Sequence, residues 1–509
     1  MTVLRAANLA FAYGGRSELF SNIRFHLTNG WTGLVGPNGS GKTTLLELIR
    51  GHLQPSAGHV RLEPADARIA WCPQRIEGEG AVEHFATCWT GEALRWMSLM
   101  ELDAQDFFRW QELSPGIRKR WQIAAALFDQ PTIALLDEPT NHLDKQAKAV
   151  LARALDQFEG VGILVSHDRG FLDRMCASIL WLESARLDAY EGGYTKARGI
   201  REDEMRRRRE RLESLQRERR NLSSQLSERR ERARRAQASI PTSSRSSGSR
   251  DSDARSMARK ERASRATASL SDAAGALGSR LERVAADLGE LSWAAERGAE
   301  LQVKACESRK SVVARCVCGP IGYGDSPVFD ELDVTLRRGQ RIWLDAPNAS
   351  GKTTLIAHLL AAKVEDTELL FLPQHLDEQR ASSLLVEVRR LPDDMLGEVM
   401  QRVAALGVDP EALLRTEHPS PGEARKLMLA RGLGRGCSLA VLDEPTNHLD
   451  IPSIERLEEA LASYGGALLL VTHDEVFARQ VTDERWTIAQ RRLVRVPFDG
   501  DQWSDSNST

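Results

Sequence analysis

No apolar run in this 509-residue sequence approaches the roughly 20 consecutive residues that a membrane-crossing helix needs; runs such as Ala467–Val471 fall far short of it. The opening stretch, Met1 to Tyr13, lacks the charged-then-apolar order of an export signal and reads as a strand. The sequence therefore predicts no integral membrane segment, no secretory leader and a cytoplasmic location. Cysteine is sparse: there are seven, Cys316 and Cys318 alone lie close together, and no second pair or histidine cluster completes a zinc site. Reduced thiols are expected rather than disulfides. A strong net charge is lacking too, at −3, but the balance is uneven along the chain. Residues 196–265 hold 23 Lys plus Arg against 11 Asp plus Glu, which leaves the remainder acidic by about 15 charges. One segment is built to meet a polyanion and the rest is not.

What is present is one module written twice. With 41% hydrophobic residues, the chain has room for two or three domains, each with a full core. Tyr13 pairs with Tyr323 and Lys42 with Lys352, each 310 residues apart; Gln74 pairs with Gln374, 300 apart. Ser114 with Ser420, Glu138 with Glu444 and His167 with His473 are each 306 apart. The copies are read as residues 1–194 and 301–509, with a linker at 195–300. Short apolar runs such as Ile133–Leu136 and Ile163–Val165 suit buried parallel strands and alternate with helical stretches, so each copy is an α/β domain.

Gly36, Pro37, Asn38, Gly39, Ser40, Gly41, Lys42 and Thr43, followed by Thr44, fit the phosphate-loop pattern between a strand and a helix. Glycines let backbone amides and the helix dipole face phosphate. Lys42 is placed to neutralise the outer phosphates, and the Thr43 hydroxyl to bind Mg²⁺. The second loop runs Ala346, Pro347, Asn348, Ala349, Ser350, Gly351, Lys352, Thr353 and Thr354. Two alanines replace glycines there; ATP binding is expected to persist, either weaker or slower to turn over where a methyl forces strain or limits close backbone approach, or unchanged if both alanines are harmless. Apolar strands then end in Asp137-Glu138 and Asp443-Glu444, each followed by Pro-Thr-Asn-His-Leu-Asp. The aspartate of each pair can hold Mg²⁺ and the glutamate can polarise the attacking water. His167 and His473 follow a further strand and suit a γ-phosphate contact; Gln74 and Gln374 can offer a side-chain oxygen to Mg²⁺ or water.

Leu113 to Arg120 and Pro419 to Lys426 resemble the signature loop of the ATP-binding cassette superfamily, with Ser114, Gly116, Ser420 and Gly422 retained. Pro115 and Pro421 stand where a second glycine is usual, which removes one backbone donor. The resemblance implies two tandem P-loop ATP-binding cassette domains, joined by an α-helical linker and closing head to tail. ATP on the Lys42 loop would be covered by Ser420 and Gly422, and ATP on the Lys352 loop by Ser114 and Gly116. Tyr13 and Tyr323 would stack on adenine, and Asp144 and Asp450 would cross the interface.

In the linker, Met205, Leu212, Leu215, Leu222 and Leu226 form one seam, and Leu277, Leu281, Val284, Leu288 and Leu291 another. They predict an antiparallel helical hairpin with a Ser/Arg-rich tip at Ile240–Arg250, followed by the basic stretch Arg255–Arg265. Twin cassettes with such a linker resemble the F class of the superfamily (ABC-F). That resemblance implies an ATPase that binds the ribosome near the tRNA exit site, reaches ribosomal RNA and tRNA through the linker, and acts on translation or protects against ribosome-targeting antibiotics. It also implies a monomer with intramolecular cassette pairing. Thirty-nine residues separate Gln74 from Ser114, too few for the arm that some members insert there, and after His473 only a short polar tail, Asp501–Thr509, is read. An ATPase subunit of a membrane drug exporter is the alternative; a DNA-maintenance ATPase would need a longer coiled coil or zinc modules.

Overall fold

The computed structural model describes residues 2–14, 18–238, 275–286, 288, 301–304, 306, 310–323, 326–347 and 350–497. They divide into two compact units: Met1–Arg198 with Ala299–Thr509, and Gly199–Gly298.

The first unit holds both repeats, each built on a six-stranded sheet. In the first repeat the strands run Ile69–Cys72, Ile133–Asp137, Val161–Val165, Gly30–Val35, Ser178–Glu183 and Arg186–Glu191 across the sheet. The first five pair in parallel and the last is antiparallel. The second repeat reproduces this order with Leu369–Leu372, Leu439–Asp443, Ala467–Val471, Arg341–Leu344, Glu484–Ala489 and Arg492–Pro497. Every residue of Ile133–Asp137 and Val161–Val165 is buried, as an apolar strand covered on both faces requires. Side chains alternate between two cores. Ile133 and Leu135 join a cluster with Leu45 and Ile163, whereas Ala134 and Leu136 join one with Trp121 and Leu155. Leu439 and Val441 against Ala440 and Leu442 repeat the division in the second copy.

Parallel strands put their carboxyl ends on one edge, where α/β sheets bind ligands. Here that edge carries the turn after Val35, the acids ending Ile133–Asp137 and the turn after Val165. A smaller antiparallel sheet, in the order Phe20–Leu27, Val3–Phe11 and Ala57–Glu63, covers one face in the first repeat.

The second unit is helical. One helix, Tyr194–Ala238, runs 45 residues from the first unit into it, and residues 275–286 form another. Leu212, Leu215 and Leu222 pack with Val284 and Leu288, while Leu277 and Leu281 lie against them. Arg280 and Glu218 add an ion pair at the same junction. The two apolar seams therefore meet, as their spacing predicts. Leu291, the tip at Ile240–Arg250, the stretch Arg255–Arg265 and the tail Asp501–Thr509 lie outside the described residues.

Candidate functional site

The loop after Gly30–Val35 ends at Gly41, whose φ of 99° caps the helix Lys42–Ile49 in a left-handed conformation. A side chain there would also strike Leu19 and Phe20, so backbone shape and space both call for glycine. Gly351 does the same before Lys352–Ala361, with φ 101°. Lys42 Nζ lies 2.9 Å from the carbonyls of both Gly36 and Pro37, curled into its own loop. Lys352 Nζ donates to the Ala346 carbonyl at 2.9 Å. Gly36 and Ala346 differ in conformation: Gly36 has φ 152° and a Cβ on it would stand 2.1 Å from the Leu182 carbonyl. Ala346 is buried and keeps a negative φ, so its methyl is accommodated without backbone strain, in line with the alternative that the alanine is harmless. Asn348 and Ala349 lie outside the described residues, as does the Tyr323 side chain. Tyr13 is half-exposed beside the loop, its hydroxyl 3.0 Å from Thr44 Oγ1.

The Thr43 hydroxyl donates to Asp137 at 2.8 Å, joining the loop to the acidic strand in an oxygen-only donor set suited to a hard cation such as Mg²⁺. Glu138 and Glu444, next after the aspartate in each repeat, both hold φ 49°, the left-handed region that a branched or bulky side chain rarely adopts. Their amides donate to the Val165 and Val471 carbonyls at 2.9 and 2.8 Å, which fixes the turn. Holding a non-glycine residue this way costs on the order of 1–2 kcal/mol, and such strain gathers at working sites.

His167 Nε2 stands 3.1 Å from Glu138 Oε1 and His473 Nε2 3.5 Å from Glu444 Oε1. These contacts lack hydrogen-bond alignment. Both Oε1 atoms, His167 Nδ1 and the Ser40 and Ser350 hydroxyls are buried without a partner. Five unpaired polar atoms around two phosphate loops mark places that a ligand's oxygens would fill. Burial, reinforced by Asp137, pushes the Glu138 carboxyl up to about 8, and burial pushes Glu444 to about 7. Burial and nearby lysines depress His167 to about 3 and His473 to about 4, so both imidazoles are neutral at pH 7.

A stability effect follows. The native Glu138 carboxyl holds its proton more tightly than the unfolded one, so the nucleotide-free fold loses stability as pH rises from about 4.5 towards 8. Glu138→Gln removes that loss. It is expected to stabilise the nucleotide-free protein more at pH 7.5 than at pH 5.5, by on the order of 2 kcal/mol. Thermal unfolding at the two pH values measures this; an equal shift at both contradicts it.

The second repeat completes the first loop. The Asn38 amide donates to Asp450 at 2.7 Å and its side chain to the His448 carbonyl at 3.3 Å. Asp450 is 2% exposed and paired with the equally buried Lys426 at 3.2 Å, on the helix that begins after Ser420. In the first repeat Asp144 caps its own helix through Ala147, and Arg120 turns to the Met100 and Glu101 carbonyls. Asp144 also lies near enough to His473 to act on its proton.

Pro115 and Pro421 occupy the first turn of the helices Pro115–Leu127 and Pro421–Leu433, capped by Ser114 and Ser420. An N–H at that position has no partner within the helix anyway, so proline starts the helix at little cost. Gly116 and Gly422 lie against the turn that carries the histidine: a Cβ on either would come within 2.8 Å of His142 O or 2.9 Å of His448 O. Gly422→Ala is therefore expected to push His448 and Asp450 off Asn38 and to weaken ATP binding at the Lys42 loop roughly tenfold. Titration with a fluorescent ATP analogue in a Lys352→Ala background reads this; unchanged affinity contradicts it.

Two residues escaped the sequence reading. Lys119 Nζ donates to the Pro73 and Gln74 carbonyls, and Arg425, 306 positions later, to those of Pro373, Gln374, Asp443 and Glu444. They tie each signature helix to the Gln turn, where the Gln74 and Gln374 side chains are exposed. A basic residue at the same place in both copies was the available signal.

Comparison with known proteins agrees with this geometry. The sequence profile of the ABC transporter family matches residues 20–141 and 329–447. The chain is a twin ATP-binding cassette protein. Its two cassettes are ABC ATPase domains, and in carrying both on one chain it is like the ABC-F proteins. It is 27% identical to the ribosome protection protein VmlR of Bacillus subtilis, over 91% of this chain and 82% of that one. It is 29% identical to the tylosin resistance ATP-binding protein TlrC of Streptomyces fradiae, over 87% and 89%. Among solved structures, the archaeal ribosome recycling factor aABCE1, in complex with the ribosomal stalk protein aP1, shares the fold. Its TM-score is 0.56 at 18% identity, over 94% of this chain and 87% of that one. No helix among the described residues is long and apolar enough to cross a membrane.

Proposed function

We propose that this twin-cassette ATPase works on the ribosome in the cytoplasm, closing its cassettes on MgATP and engaging ribosomal RNA and tRNA near the tRNA exit site through its basic linker. It thereby acts on translation and protects it from ribosome-targeting antibiotics. In this reading residues 1–194 and 301–509 are the cassettes, residues 195–300 are the linker, and the protein is a monomer. What carries it is the helix Tyr194–Ala238. Its leucines are spent on the seam, while arginines such as Arg217, Arg232 and Arg235 stay largely exposed. An exposed arginine surface on a stiff support fits the phosphates of folded RNA. The names of VmlR and TlrC, a ribosome protection protein and a tylosin resistance protein, support the same direction.

At each site the loop amides and Lys42 or Lys352 bind the outer phosphates. Thr43 with Asp137, and Thr353 with Asp443, hold Mg²⁺, aided by Gln74 and Gln374; the bound ion supplies charge neutralisation. Glu138 and Glu444 take the proton of the attacking water, and neutral His167 and His473 face the γ-phosphate. Ser420 with Gly422, and Ser114 with Gly116, close each site from the opposite cassette, and Tyr13 and Tyr323 stack on adenine.

The test is co-sedimentation of the Glu138→Gln/Glu444→Gln protein with ribosomes in ATP at moderate salt, beside a purified translation assay containing each drug. Association is expected, weakened by charge removal at Arg229, Arg230, Arg232, Arg234 and Arg235 and by added salt. ATP binding without ribosome association overturns the reading.

A further inference from the structure

We propose that Glu455 is a positioning residue that ties the state of the Lys42 nucleotide site to the root of the linker helix, acting through the helix Ile451–Ala462. The inference rests on reading the Lys42 loop as a nucleotide site and is independent of what the linker binds.

The helix Ile451–Ala462 belongs to the second cassette but is fastened along its length to the first. Its N-cap, Asp450, receives the Asn38 amide of the Lys42 loop. Ile451 is fully buried among the apolar core residues of the first cassette. One turn on, Glu455 Oε1 accepts the Tyr194 hydroxyl at 2.7 Å and lies 3.0 Å from Arg198 Nε. Glu458, a further turn away, is paired with the buried Arg169.

Tyr194 is a fixed handle. It is 1% exposed, its ring is stacked on Trp181 at 5.9 Å, and it opens the helix Tyr194–Ala238. Trp181 stands on the strand paired with Gly30–Val35, which leads into the Lys42 loop. The first turn of the linker helix is thus held between a wall that belongs to the Lys42 site and a carboxylate of the other cassette.

The arrangement is one-sided. In the first cassette the matching helix Lys145–Leu155 has Lys145, Ala149 and Ala152 where the second has Ile451, Glu455 and Glu458. Neither alanine can accept a hydrogen bond through its side chain, and Lys145 pairs instead with Glu475. A three-turn helix moves as a body, at about 1.5 Å of length per residue. Closing of the Lys42 site on ATP shifts Asp450 with Asn38, and Glu455 carries that shift to Tyr194 and Arg198. Among the described residues, the Lys352 site has no such lever.

Hydrogen exchange of the full-length Glu138→Gln/Glu444→Gln protein, with and without MgATP, tests this. ATP is expected to slow amides in residues 36–44 and in residues 194–198 by about fivefold or more. Adding Glu455→Ala should abolish the response at 194–198 and keep that at 36–44. Glu455→Gln, which retains an acceptor for Tyr194 but drops the charge facing Arg198, should leave part of it and serves if the alanine variant folds poorly. Lys42→Ala should remove both responses, and Lys352→Ala should spare both. A response at 194–198 that survives Glu455→Ala, that follows Lys352 rather than Lys42, or that is absent while residues 36–44 respond overturns the proposal. No response to ATP at residues 36–44 or 350–354 overturns the nucleotide reading instead.

Discussion

Glu138→Gln is expected to slow ATP hydrolysis at the Lys42 site by about a hundredfold or more, the usual contribution of a positioned general base, while ATP still binds. The amide keeps the size of the carboxyl and the same left-handed backbone, so the loop and its bond from Glu138 N to Val165 O should survive. What is lost is a proton acceptor. The carboxyl stands at about 8 because burial and Asp137 both oppose its charge. That is close to working pH, where a general base is most effective. Single-turnover hydrolysis in a Lys352→Ala background isolates this site. A rate within threefold of the parent would remove Glu138 from the chemistry and leave His167 as the group to examine. Glu444, at about 7, should behave alike in the complementary Lys42→Ala background.

Glu458→Ala is expected to loosen the contact between the cassettes by about 3–5 kcal/mol, the range for stranding one charge of a buried pair. Arg169 is 1% exposed; it donates twice to Glu458 and, at 3.4 Å, to Asp474. Without Glu458 the buried guanidinium keeps only the longer contact to Asp474. The pair joins a first-cassette helix to a second-cassette helix, so the damage should appear as separation of the cassettes before either sheet unfolds. Hydrogen exchange over Arg169–Met175 and Ile451–Ala462 reads that directly, and both should exchange faster while Ile133–Asp137 stays protected. Parallel acceleration in the central strand would mean that the pair supports the fold as a whole. Glu458→Gln, which retains packing and one acceptor, should cost less.

Local chemistry made much of this protein legible. Gly41, Lys42 and Thr43 between a strand and a helix specify a phosphate loop because few other patterns place amides, a cation and a hydroxyl on one anion. Runs such as Ile133–Leu136 suited buried parallel strands by their length and apolar character, and the leucine seams of the linker met as their spacing required. The prolines of the signature loops were legible as departures but not in their effect. An N–H at the first helical position has no partner within the helix, so proline there leaves each signature helix intact.

Other features depend on residues brought together from far along the chain. Asp450 and Asp144 both cap their own helices, through Ser453 and Ala147, but that Asp450 also reaches Asn38 across 412 positions is settled by how the two domains pack. The left-handed glutamates belong to the same class: bonds to Val165 and Val471, from neighbouring strands, hold a backbone that their own sequence disfavours. The burial that raises Glu138 and lowers His167 is likewise a property of the assembled site. Residue type and spacing sufficed to say which groups each cassette owns, because a phosphate loop and a buried strand are short-range objects. The resemblance already implied which cassette closes which site; which helix bears on the linker root had to await the packing. A duplicated sequence offers the same surfaces twice, and substitutions such as Ile451 for Lys145 and Glu455 for Ala149 make the two halves different only once they touch.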